Sequence, residues 1–167
     1  MATRAARDLA GSRPTAVVTS PIERCRETAD ILSTQWNLTP VVEHEFIEAD
    51  YGTWSGRKLS ALYRLKAWGS LMSAASRFRF PDGESLEEVQ RRAVAATERL
   101  TESHRDNATV VVVSHADVIR SVLAHYLGMP LDLIHRLHVG PASSSIVVLP
   151  KGGPPAVPVI NERGGRT

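Results

Sequence analysis

The sequence is short of several things, and each shortage closes off a class of function. A single cysteine, Cys25, leaves no internal disulfide framework and no Cys-rich metal site, which suits a reducing compartment. No apolar run approaches the roughly 20 residues that span a bilayer, and the amino end has no apolar targeting core. Neither insertion nor secretion is expected, and the cytoplasm is the expected location. Lysine plus arginine, 20 in all, barely exceed the 18 acids, and the arginines are scattered rather than gathered on a basic helix or an aromatic-studded strand. A nucleic-acid partner is therefore not expected. The run Glu43-His44-Glu45 lacks a metal-ligand spacing, so neither a metal nor a cofactor is expected. The 167 residues, with ordinary apolar and charged content and no internal repeat, are enough chain for one domain with a real core.

What is there is organised around Thr109 to Ile119, T-V-V-V-V-S-H-A-D-V-I. The β-branched run Thr109 to Val113 predicts a strand buried on both faces, as a central parallel strand is, and it closes on the polar pair Ser114-His115. Val118, Ile119, Val122, Leu123, Tyr126 and Leu127 then recur at helical spacing until Gly128 and Pro130 stop the helix. His115 thus sits in a strand-to-helix turn. Ligands bind outside the carboxyl ends of strands in open α/β sheets, and the helix N-terminus behind such a turn favours anions. Taken alone, His115 reads equally well as a packed or capping side chain.

The same grammar occurs earlier. Thr15 to Thr19 predicts a short buried strand, and Ser20-Pro21-Ile22-Glu23 offers an N-cap serine, a first-turn proline and a capping-box glutamate. Its helix carries Ile22, Cys25, Ala29, Leu32 and Trp36 on one face, leaving Arg24 at the same sheet edge as His115 and Arg26 on the surface. Ahead of it, Ala2, Ala5, Ala6, Leu9 and Ala10 form a helical stripe already under way at Met1. Residues 39–56 read as a short strand and an acidic surface loop, Arg57 to Trp68 as a helix, and Gly69 to Phe80 as a flexible cover. Ser85 and Glu88 make a capping box for a long amphipathic helix to about His104, its charged face read as solvated. Leu131 to Leu137 predicts a short helix, Ser145 to Leu149 a last strand, and residues 150–167 a Gly- and Pro-rich disordered tail. The first crossover helix has no strand before it, so the sequence reads as starting one strand late.

Four segments in this order resemble those of the histidine phosphatases, the phosphoglycerate mutase-like superfamily: T-S-P-I-E-R-C-R-E-T-A, F-I-E-A-D-Y-G-T-W-S-G, F-P-D-G-E-S-L and V-V-V-S-H-A-D-V-I-R. The resemblance implies a three-layer α/β/α sandwich over residues 1–149 that lacks its first, nucleophile-bearing strand. It implies Arg24 as a phosphate-pocket arginine, Glu48 as the proton donor and acceptor, and His115 as the second pocket histidine, both catalytic and phosphate-binding. It further implies metal-independent phosphatase or phosphomutase chemistry on a small phosphorylated metabolite.

Phosphoryl transfer through a histidine needs a neutral imidazole in line with phosphorus, cationic donors on the equatorial oxygens and a proton for the leaving oxygen. Those are the residue types at hand, except one: the family's Arg-His-Gly, whose histidine becomes phosphorylated, occurs nowhere in the chain. The expectation is therefore a domain truncated at its amino end and inactive for lack of its nucleophile. Of the histidines present, His138 alone has a loop position from which the pocket is reachable. Cys25 is followed six residues later by Ile31, where a cysteine phosphatase needs arginine, so it reads as a small buried residue. The alternative is a non-catalytic phosphate-binding or interaction domain, a pseudophosphatase, although a proton donor at Glu48 does nothing for holding an anion.

Overall fold

A computed structural model describes residues 11–163; the expected helical stripe at Ala2 to Ala10 lies outside the described residues. Strand β1 (Ala16–Thr19) runs parallel to both β2 (Val41–Val42) and β3 (Val110–Val113), in the order β2-β1-β3. Ala16 pairs with Val110 and Thr19 with Val113, so β1 and β3 end level. The Ser20 N–H extends the ladder to the Val113 carbonyl at 2.9 Å. Level ends matter because they bring the turns after both strands to one edge of the sheet.

Parallel neighbours require long crossovers. Helix α1 (Glu23–Thr34) makes the first, from β1 to β2. The return to β3 passes through the short helices α2 (Leu59–Leu62) and α3 (Lys66–Ser73) and the long α4 (Leu86–Ser103), and α5 (Ala116–Tyr126) follows β3. Right-handed crossovers to opposite sides of β1 put α1 and α4 on opposite faces of the sheet. Side-chain alternation fits this: Val18 joins the core under α4 and α5, while Val17 points the other way and is also fully buried. The result is a three-layer α/β sandwich.

The Ser85 and Glu88 capping box of α4 is present in full, and α5 ends at Leu127 with Gly128 in the left-handed conformation. Three expectations are corrected. Residues 69–80 are no loose cover: α3 runs through Gly69 to Ser73, and Leu71, Ala75, Phe78 and Phe80 are buried in the main core. Aromatics packed on Trp54 supply that burial without any helical period. Residues 150–167 are no simple tail either, since β5 (Ala156–Glu162) pairs antiparallel with β4 (Ser144–Val148) in a separate two-stranded sheet. A sheet of only two strands has edges on both sides, where Pro158 is tolerated. Lastly, β3 is not buried on both faces. Val112 is 37% exposed because, among the described residues, β3 pairs with β1 alone and its other edge is open.

Candidate active site

The two strand-to-helix turns meet at His115, a residue buried to 4% exposure. Arg24 Nη2 approaches its Nδ1 at 2.7 Å, and Ser20 Oγ lies 2.7 Å from Nε2. A guanidinium has hydrogens to give and no acceptor, so Nδ1 accepts and Nε2 carries the ring hydrogen, which it donates to Ser20. This use of Ser20 explains why the expected cap of α1 fails: Ile22 occupies the N-cap position with no side-chain bond, and Ser20 Oγ reaches only the Ile22 N–H, at 3.3 Å. Burial first, and then the charges of Arg24 and Arg92, hold the imidazole neutral, with a pKa of about 4. Cys25 Sγ packs 3.6 Å from Nε2, and burial pushes its thiol pKa up.

Glu48 closes the group from the opposite side. Its Oε2 lies 3.7 Å from both Arg24 Nη2 and His115 Nδ1. Burial, reinforced by the carboxylate of Asp117, raises its pKa to about 7 against the opposing pull of the Ala49 N–H and Arg24. Its position is set by a nesting of two loops. Gly52 has φ +52°, and a Cβ there would stand 1.9 Å from the Pro81 carbonyl oxygen, so only glycine serves. The Thr53 N–H donates to that carbonyl at 3.0 Å, the Glu84 N–H to the Asp50 carbonyl at 2.9 Å, and the Asp50 N–H to Glu84 Oε2 at 2.9 Å. Arg92, projecting from α4, ties the assembly together. It donates to Glu84 at 2.9 and 3.1 Å, to the Glu48 carbonyl at 3.3 Å and to the Glu45 carbonyl.

The arrangement offers a cationic fork, a neutral imidazole and a protonated carboxyl at the carboxyl ends of β1 and β3. Residues 1–162 match the family model of the histidine phosphatase superfamily (branch 1). The chain belongs to that superfamily. It is 31% identical over 154 residues to the bifunctional protein Rv2228c of Mycobacterium tuberculosis, covering 89% of this chain and 41% of that one. It therefore spans about two fifths of the length of the first curated relatives it matches. Phosphoserine phosphatase 1 of Hydrogenobacter thermophilus is 29% identical over 147 residues, 85% of this chain and 68% of the relative. Among solved structures, YhfR of Bacillus stearothermophilus superposes with a TM-score of 0.85 at 25% identity, covering 95% of this chain and 79% of the other.

Within this histidine phosphatase domain, sequence reasoning named three residues, Arg24, Glu48 and His115, and the structure brings all three together. It does not bring His138, which is exposed on the segment between α5 and β4. Arg26 is exposed, as expected of a surface residue. Four further residues at the site were missed. Ser20 was assigned to a helix cap, and Arg92 to a solvated face. Tyr51 and Asp117 were passed over inside the motifs that contain them, although Tyr51 Oη donates to Asp117 Oδ2 at 2.8 Å beside Glu48.

Proposed function

We propose that this chain is the main part of a metal-independent phosphate-monoester phosphatase or phosphomutase of the cytoplasm, working through a phosphohistidine carried by a strand outside these 167 residues. The observation that carries the reading is the convergence of Arg24, Glu48 and His115 within 3.7 Å at the level ends of β1 and β3, next to the open edge of β3. A strand laid along that edge would deliver its carboxyl end to the same place. Its neutral imidazole attacks phosphorus as the ester P–O bond breaks. Glu48 gives its proton to the leaving oxygen, and Arg24 and His115 hold the equatorial oxygens by charge and hydrogen bond. In the second step Glu48, now ionised, takes a proton from water as water attacks the phosphohistidine, which restores the histidine and releases phosphate. In a mutase, a substrate hydroxyl takes the place of that water. Substrates of the class named in the relatives, small phosphorylated metabolites, fit an exposed arginine at the pocket mouth.

The test is to extend the chain at its amino end with a strand ending in Arg-His-Gly and to assay p-nitrophenyl phosphate hydrolysis. The extended protein is expected to exceed the 167-residue chain by at least about 10³-fold, and the gain should vanish when either the added histidine or His115 is replaced by alanine. A folded extended protein that binds vanadate but hydrolyses nothing would replace this reading with the non-catalytic phosphate-binding one.

A further inference from the structure

We propose that Asp117 is a positioning residue that, through the Tyr51 hydroxyl, keeps on Glu48 the proton destined for the leaving oxygen. The inference rests on the role proposed for Glu48 and adds the device that sustains it. Asp117 stands in the first turn of α5, where the helix N-terminus favours negative charge, and its Oδ1 takes a 2.9 Å hydrogen bond from Arg120 Nη1. Its other oxygen takes the single hydrogen of Tyr51, whose ring is fixed edge-on against Phe80 at 5.0 Å. The Tyr51 hydroxyl lies between the carboxyl groups of Asp117 and Glu48, and burial together with both of them keeps it from ionising.

One hydrogen between two acids decides the protonation. With that hydrogen given to Asp117, Tyr51 has only a lone pair left for Glu48, and only a protonated carboxyl can use it. A Tyr51 hydroxyl that donated to Glu48 would instead favour the carboxylate. The other groups facing Glu48 do not supply this bias. Arg24 on α1 and the Ala49 N–H in its own loop favour the ionised form, His115 is neutral and accepts from Arg24, Cys25 is an uncharged thiol, and Arg92 on α4 touches only the backbone carbonyl.

The protonation of Glu48 can be read directly by carbon-13 NMR titration of carboxyl-labelled protein, with Glu48→Gln identifying the signal. Asp117→Asn removes the charge and frees the Tyr51 hydrogen, and the Glu48 midpoint is expected to fall from about 7 by on the order of one pH unit. Tyr51→Phe keeps the ring on Phe80 and removes the acceptor, so it too should lower the midpoint. An unmoved midpoint in a folded Asp117→Asn protein overturns the proposal. So does a midpoint that rises in Tyr51→Phe, the result expected of a donating hydroxyl, and this second variant decides the matter if the first fails to fold. The titration needs no turnover. If both midpoints fall and the extended chain still hydrolyses nothing, the proposed reaction fails and the Asp117 device stands.

Discussion

Glu48 and Arg24 reach the same point in space, yet they are held in opposite ways. Glu48 rides on a loop nested against the Pro81-Asp82-Gly83 turn, with Arg92 bonded to two of the loop's carbonyls. Arg24 stands near the start of α1 with its side chain 61% exposed, touching only His115 and Glu48. A carboxyl that must stay protonated near neutral pH has to be kept dry and fixed, because any movement toward water returns it to its ordinary acidity. An arginine that must meet an incoming dianion gains from exposure and loses little by moving. The rigidity of each arm therefore follows from the charge state it has to maintain.

The contrast can be broken most severely at Gly52. Replacing it with alanine puts a methyl where the Pro81 carbonyl stands and imposes the strained φ of +52° on a residue with a Cβ. A loss of about 3 to 5 kcal/mol in urea unfolding is expected as the two loops separate. A loss below about 1 kcal/mol would mean that the loops part without cost and that Glu48 is not clamped.

The next effect is one of pH. The folded pKa of Glu48, about 7, lies above the ordinary 4.5, so its contribution to stability is complete below pH 4.5 and is lost as pH rises toward 7. His115 is the reverse: its folded value of about 4 lies below 6.5, so its contribution is complete above pH 6.5 and is lost as pH falls toward 4. The two oppose one another between these limits. Glu48→Gln leaves His115 unopposed, and the variant should lose on the order of 3 kcal/mol between pH 6.5 and pH 4, a slope that these two groups cancel in the parent chain. Parallel stability profiles for the two proteins would show that one of these groups titrates normally.

The exposed arm gives the smallest change, and it appears in binding. Arg24→Ala should weaken orthovanadate binding by roughly 1.5 to 3 kcal/mol, the range of a charge-assisted hydrogen bond, while Arg26→Ala should fall within about 0.5 kcal/mol of the parent. Calorimetric titration distinguishes the two, and equal losses would mean that the first turn of α1 is differently phased.

Much of this was legible in the sequence. The β-branched runs give β1 and β3, Ser85 with Glu88 gives the start of α4, and the strand-to-helix turns place Arg24 and His115 at one sheet edge. What escaped was decided by partners distant in the chain. Ser20 looks like a cap because capping is a local property, yet its hydroxyl goes to a histidine 95 positions away. Periodicity identifies the polar face of α4 without saying that Arg92 on that face meets loop carbonyls rather than water. A run of valines announces a strand, but its burial depends on how many neighbours it finds. For that reason β1 is sealed while the more apolar β3 is partly exposed.

The open edge of β3 also bears on how the chain behaves in company. Edge strands are ordinarily protected by lysine, proline or a bulge, and Thr109 to Val113 has none of these along T-V-V-V-V. Val112, together with Ile146 and Val148 of β4, leaves apolar side chains exposed beside unsatisfied backbone. Short segments that are β-branched, uncharged and free of proline pair readily with their own kind, stacking chain upon chain in a cross-β array. The slot that would accept a nucleophile strand is thus equally a slot for the β3 of another copy. Occupancy by the right strand and self-association compete for the same hydrogen bonds, with protein concentration favouring the second.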